Sequence, residues 1–515
     1  MMERAWILAK SAVKNGGIYL YMLVVFFLVA ASVYVVQVNK AFGWEFPVAI
    51  AVILVCFCIT AILWFTGKKH WPIEKRFLIL AILMGVLFII FLPPGEASDE
   101  IMHFRRSYAI SRGVLVPTEV VDENGNIGSS LPVESDIFID MRVPKSGTYY
   151  NLKELIVQPK SAEDSSQAYT SAALYNFVCY IPQVIGAWMG SALGLSVIGI
   201  AYVMKIVGFI FSIFLIYFAI KKAPKFKLIF LFIALSPMTM QEITSMSPNG
   251  ITIGLCLLLI AFVMYLSYEK NKIMSRRDLI LLYLLAILVS LCKIVYVVLI
   301  LLYLVIPKDR FGSKRKKIIN LAIIVTISLV VNLVWLKISS GYLVEFMPDV
   351  SSKEQILCVL ANPIRYIMTI ARTICAYSYS WIENILGMSL GALCIRMPNV
   401  VFLISFAVMV LLFSQRDETI RVRKYDKVVF SGVFLTISLL ICTSLYIQWT
   451  PVNKNVIEGI QGRYFLPILP LIPLIISRRK AEKCHYRNAI TANTVLYYGL
   501  FINLLAVVTI FAQNI

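Results

Sequence analysis

Apolar runs of about 18–22 residues recur along the chain between short polar breaks, and that length crosses the hydrocarbon core of a bilayer. The pattern predicts spans at 18–38, 47–66, 77–92, 196–219, 228–245, 250–268, 279–291, 294–306, 318–338, 399–415, 428–447, 463–477 and 490–511. The stretch 279–306 reads as two short helices broken near Lys293. Breaks of that kind are tolerated at membrane depth only where they line protein or a polar cavity. Residues 171–190, and the apolar stretch within 339–398 that carries Arg365 and Arg372, raise the same question of crossing.

Composition agrees with the pattern. Hydrophobic residues make up 60% of the 515 and charged residues only 15%, which excludes an ordinary soluble protein and points to an all-α polytopic membrane protein. The net charge of +20 does not imply nucleic acid. Its cations gather in short loops at 68–76, 221–227, 268–277, 307–317, 416–427 and 478–487. Placing all six in the cytoplasm satisfies the positive-inside rule, with anionic headgroups as partners. The amino terminus is then inside and the carboxyl terminus outside. Under that topology 171–190 becomes a re-entrant or interfacial helix and 354–380 stays on the outer side; the sequence leaves open whether either crosses. The run 18–38 follows Arg4, Lys10 and Lys14 and is too long for a signal h-region, so it reads as an uncleaved span. Ten scattered cysteines without a C-x-x-C pair give no disulfide framework and no zinc site.

The expected organisation is a two-span extension (1–76), a main transmembrane module (77–480) and a last span (481–515). The module carries a large outer loop at 93–195, a second at 339–398 and a compact third at 448–467. Within the first, 118–136 reads as an exposed loop. No internal repeat or low-complexity tract is apparent.

The densest chemistry follows the third run, in "FLPPGEASDEIMHFRRS" (91–107). A short helix over 99–112 is predicted, with Ser98 as N-cap, Asp99 and Glu100 at the positive end of the dipole and Gly113 at C′. Helical spacing puts Asp99, His103 and Arg106 on one face and Ile101, Phe104, Arg105 and Tyr108 on another. The helix should lie flat at the interface with one polar face toward the bundle. A carboxylate on that floor can be a general base toward a hydroxyl. Asp99, Glu100 and His103 are also candidate ligands for a divalent metal such as Mg or Mn. Alone, His103 more often orients a carboxylate. Arg105 and Arg106 could meet a phosphate, although cations beside headgroups are common.

Three further places stand out. Lys293, with Tyr296 on the next turn, lies in an apolar run without a nearby acid, where a lysine is costly and either functional or snorkelling. Arg463, in "EGIQGRYFLP" with Gln461 and Tyr464, can grip a phosphate bidentately or anchor the chain at the interface. The segment "SPMTMQEITSMSPNG" (236–250), with Gln241, Glu242 and Asn249, either lines a cavity or forms a hydrated turn. Together these groups fit sugar transfer from a phosphate-linked lipid: Lys293 and Arg463 on the leaving phosphate, Asp99 on the acceptor hydroxyl.

"PPGEASDEIMHFRRSYAISRG" (93–113) resembles the P-x-DE-x-x-H-x-x-R signature of the bacterial membrane-protein family known as domain of unknown function 2142. "SPMTMQEITSMSPNG", "CKIVY" (292–296), "LGMSLGALCIRMP" (386–398) and "IQGRYFLP" (460–467) follow in matching order, so the resemblance covers about 77–480. It implies kinship with GT-C glycosyltransferases, and hence a GT-C-like bundle of about 13 transmembrane helices whose first large outer loop bears short interfacial helices. Such enzymes place a catalytic acid in that loop, which falls on Asp99 beside Glu100. One departure is Asn249, where the family often has Asp. The implied activity is inverting transfer of a sugar from a polyprenyl-phosphate donor to a cell-envelope glycan or lipid-linked saccharide, on the outer face of a bacterial cytoplasmic membrane. A transporter or flippase of lipid-linked glycans, or a glycan polymerase, would use the same groove and cations.

Overall fold

The computed structural model describes residues 45–116, 119–120, 127–132, 148–149, 152, 156, 164–224, 226–269, 273–339, 349–414, 422–477 and 490–514. The chain is mostly helical, and the expected span 18–38 lies outside the described residues. Among the described residues five helices are long and apolar enough to cross a membrane: Val197–Lys222, Asn249–Glu269, Lys314–Ser339, Lys424–Gln448 and Ala492–Asn514. Among the described residues several of the expected apolar runs are short or broken, as was expected for 279–306.

The Val197–Lys222 helix is the hub, and small residues let two neighbours approach it closely. From Ile181–Ala192, a Cβ on Gly186 would lie 2.6 Å from the Met204 Cα and one on Gly190 would lie 3.0 Å from the Ile200 Cα. From Asn249–Met264, Gly250 and Gly254 press in the same way on Ser212 and Leu215. Both are G-x-x-x-G pairs, which bring helix backbones together where lipid offers no hydrophobic drive to association. Ile181–Ala192 has 12 residues, about 18 Å of helix, too little to span about 30 Å of hydrocarbon.

Among the described residues three apolar runs are interrupted. The expected span 228–245 is two helices, Lys227–Ala234 and Pro237–Thr244, divided where Ser236 donates to the Ile385 carbonyl (2.7 Å) and Pro237 lacks the N–H to continue the ladder. Arg276–Cys292 ends at an extended Lys293, and Ile294–Val305 continues as a 3-10 helix. At about 2.0 Å per residue those 12 residues reach about 24 Å, roughly 6 Å more than α-helix would. Lys317 donates to the carbonyls of Leu304 (2.9 Å) and Ile306 (2.5 Å), and Arg423 to that of Val305 (2.6 Å), so the segment's carbonyl end is held by cations. Arg423 is in turn paired with the buried Asp426 at 2.8 Å. The third interruption is Gly462–Ile468, also 3-10 with Pro467 inside it, followed by Leu471–Ile476.

Within 93–195 the described residues hold more regular structure than the sequence implied. β1 (Glu119–Val120), β2 (Ile127–Pro132) and β3 (Asp164–Ala168) form an antiparallel sheet in the order β1-β2-β3, with Gly128 opposite Ala168. The expectation of an exposed loop across 118–136 therefore fails for β2, whose alternate residues Ile127, Ser129 and Leu131 are buried. They lie beneath the Glu100–Ser111 helix. That helix is not a half-exposed interfacial one either, because Glu100, Ile101 and every residue from His103 to Ile110 are buried. The bundle covers one side and the small sheet the other.

Candidate functional site

The site begins where the Ile73–Phe91 helix gives way to Pro93 and Pro94. The turn that follows is pinned by Glu100. Its carboxylate accepts from the backbone N–H groups of Gly95 (2.9 Å), Ala97 (3.2 Å) and Met246 (2.9 Å). Lys205, fully buried in the hub helix, stands 3.8 Å from the same carboxylate and donates to the Leu92 carbonyl at 2.7 Å. Glu100, expected as a second catalytic acid, is thus a bracket for the turn.

The bracket leaves Asp99 at the N-cap in the left-handed region (φ 61°). The cap is Asp99 and not Ser98, and the Asp99 side chain makes no capping bond. Asp is among the few residues that tolerate this region, and such backbone clusters at functional sites. At the other end Gly113 takes the expected C′ place (φ 91°). The φ at Asp99 swings its carboxylate off the helix onto Arg463, with Nη2 and Oδ2 2.6 Å apart.

Arg463 is held on its other edge. Nη1 donates to Glu242 Oε1 (3.2 Å) and to the Ser98 carbonyl (3.4 Å), while Asn249 donates to Glu242 Oε2 (2.8 Å). The two carboxylates differ in setting: the Glu242 side chain is 2% exposed and that of Asp99 47%. Segment 236–250, open in the sequence between cavity and hydrated turn, is a buried wall. Gln241 there is paired with both backbone groups of Gly391.

Lys293 arrives from the break after Cys292. Its ammonium lies 4.2 Å from the centroid of the Tyr464 ring, with the Arg463 guanidinium carbon 5.5 Å from the same ring. Tyr296 donates to the Tyr464 carbonyl at 2.8 Å, and a buried Gln461 Oε1 has no partner. Beside Arg463 is a small open crevice of about 220 Å³, a volume that includes the solvent at its opening, lined by Glu242, Asn249, Thr252, Tyr296, Arg463 and Tyr464 among others.

His103 sits behind Asp99. Its Nδ1 is 2.7 Å from the Tyr180 hydroxyl and its ring meets Tyr175 edge-on at 5.3 Å. Burial pushes its pKa down to about 4, against the pull of Asp99, so the imidazole is neutral. Tyr175, which sequence reasoning passed over, has its phenol within electrostatic reach of Tyr464, Asp99 and Arg463.

The structure therefore brings Asp99, Lys293, Tyr296, Arg463, Tyr464 and Asn249 together, with His103 and Gln461 adjoining. Arg105 and Arg106 do other work. Arg105 donates to the Ala168 carbonyl (3.0 Å), and Arg106 to those of Val114 (3.1 Å) and Leu115 (2.6 Å), tying the helix to the sheet and to its own C-terminal turn. The metal set of Asp99, Glu100 and His103 does not assemble: among the described residues no three His, Cys, Asp or Glu side chains are placed to hold an ion. Glu100 is committed to backbone amides and His103 to a phenol. Besides Tyr175, the residues missed were Glu242, noted only as one polar group among several, and Lys205, which carried the same signal as Lys293, a lysine inside an apolar run.

Long apolar helices interrupted around a buried charge cluster fit a polytopic membrane protein. The chain belongs to the family described as "Predicted membrane protein (DUF2142)", whose profile matches residues 82–472. All of the clustered residues lie within that range. No curated protein and no solved structure matches the chain.

Proposed function

We propose that this protein is an inverting glycosyltransferase of GT-C type, moving a sugar from a polyprenyl-phosphate donor to a cell-envelope glycan or lipid-linked saccharide on the outer face of a bacterial cytoplasmic membrane. The observation that carries the reading is the meeting of Asp99 and Lys293 around Arg463, which is 364 and 170 positions from them in sequence and lines a crevice in an apolar bundle. In this reaction the acceptor oxygen bonds to the anomeric carbon while the bond from that carbon to the phosphate oxygen breaks. The electron pair leaves on the phosphate and the hydroxyl proton passes to Asp99. Arg463 and Lys293 stabilise the charge growing on the leaving group, where fixed cations in a low-dielectric site act most strongly. A single displacement of this kind inverts the anomeric centre.

A second reading has its own support. Helices interrupted at a buried charged site are also how transporters build substrate sites, so the same groove could pass a lipid-linked glycan across the membrane. Compositional analysis of envelope glycans from cells with and without the protein separates these readings. Loss of one sugar supports transfer. A changed chain length supports a polymerase, and unchanged linkages with precursor held on the inner leaflet support a transporter.

A further inference from the structure

We infer that the Asp99 carboxylate occupies the place of the donor phosphate on Arg463 in the resting protein, and that an entering anionic lipid headgroup displaces it. The proposal rests on the reading above, in which a lipid-linked phosphate enters this crevice, and it adds how that entry arms the base. Arg463 has two unlike edges. Nη1 is fixed by the buried Glu242, whose second oxygen is taken by Asn249, and by the Ser98 carbonyl. Nη2 meets Asp99, whose side chain is 47% exposed and whose backbone stands in the left-handed region. Glu242 is therefore the permanent partner and Asp99 the exchangeable one.

Two further observations point to a ligand on that side. The Arg463 Nε is buried without a partner. Lys293 is partly accessible, and among the described residues no carboxylate pairs with it; its ammonium rests over the Tyr464 ring beside Arg463. A phosphate oxygen that takes the Nη2 edge within reach of Lys293 gains two cations. It also frees a carboxylate that was a poor base while hydrogen-bonded to a guanidinium.

The test is binding of farnesyl phosphate to the full-length protein in detergent, with farnesol as the uncharged control and thermal melts to establish folding. Asp99→Asn removes the competing anion, so the affinity for farnesyl phosphate should rise about tenfold with no gain for farnesol, and Asp99→Ala should move it in the same direction. Arg463→Lys should weaken it by about tenfold or more. Unchanged or weaker binding by both folded Asp99 variants, an equal gain for farnesol, or unchanged binding by Arg463→Lys would overturn the exchange. Tighter binding by Asp99→Asn in a protein that transfers no sugar would keep the exchange and defeat the glycosyltransferase reading. Transfer by the wild type without the affinity gain would do the reverse.

Discussion

Asp99 and Arg463 meet across most of the folded chain, with carboxylate and guanidinium 2.6 Å apart, and Arg463 also lines a crevice in an apolar bundle. The guanidinium serves Glu242 with one nitrogen and Asp99 with another. Lysine keeps the charge but presents a single ammonium, so Arg463→Lys should fold yet transfer sugar about 10–100 times more slowly, from loss of the two-sided geometry. Initial rates compared with melting temperatures in detergent check this; a rate within threefold of wild type would argue against it.

Gly462 places that arginine. A Cβ there would lie 2.0 Å from the Trp381 carbonyl oxygen and 2.7 Å from the Asn384 Cβ. Neither neighbour can yield easily, because both belong to the Pro363–Leu386 helix. Gly462→Ala should cost about 1–3 kcal/mol of stability and should lower transfer more than it lowers expression. Thermal unfolding and rate measurements on the same sample separate the two effects.

Glu96 predicts a pH dependence. It is buried beside Asn514, which donates to its carboxylate, and burial pushes its pKa up to about 8. The folded protein thus holds a proton that the unfolded chain releases above its ordinary pKa of 4.5. Its contribution is fully present below 4.5 and is lost as pH rises through about 8. Stability should fall across that window, and Glu96→Gln should flatten the fall. Melting temperatures across the window decide it; identical slopes would contradict the assignment.

His103 has the opposite sign. Its folded pKa of about 4 lies below the ordinary 6.5, so its contribution is present above 6.5 and is lost as pH falls toward 4. The imidazole is neutral across the physiological range. His103→Gln should therefore leave the shape of the pH–rate profile near neutrality unchanged. A step near pH 6.5 that vanishes in the variant would show the histidine titrating in the reaction.

Much of the site was legible because membrane sequences make charge conspicuous. Asp99, Lys293 and Arg463 stood out against apolar surroundings, and the structure gathers them. The roles of Glu100, Arg105 and Arg106 were not legible. A helical wheel assumes that the helix begins at Asp99, whereas Asp99 is left-handed, and backbone groups claim the three charges after it, from distant segments for Glu100 and Arg105 and from the helix's own C-terminal turn for Arg106. Nor was the broken run 228–245 legible as such: Pro237 marked the break, but the surrounding hydropathy reads as continuous. β2 was hidden for a similar reason, since its inward stripe of Ile127, Ser129 and Leu131 is short and broken by a serine. Its burial comes from the helix above it, a long-range contact that no local pattern carries.

The central claim is that Asp99 takes the proton of the attacking hydroxyl. Release of free polyprenyl phosphate from a polyprenyl-phosphate sugar, by purified protein in liposomes containing a glycan acceptor, tests it most directly. The wild type should release it, and folded Asp99→Asn should be slower by about 10²–10⁴. Release by Asp99→Asn at near the wild-type rate would contradict the account.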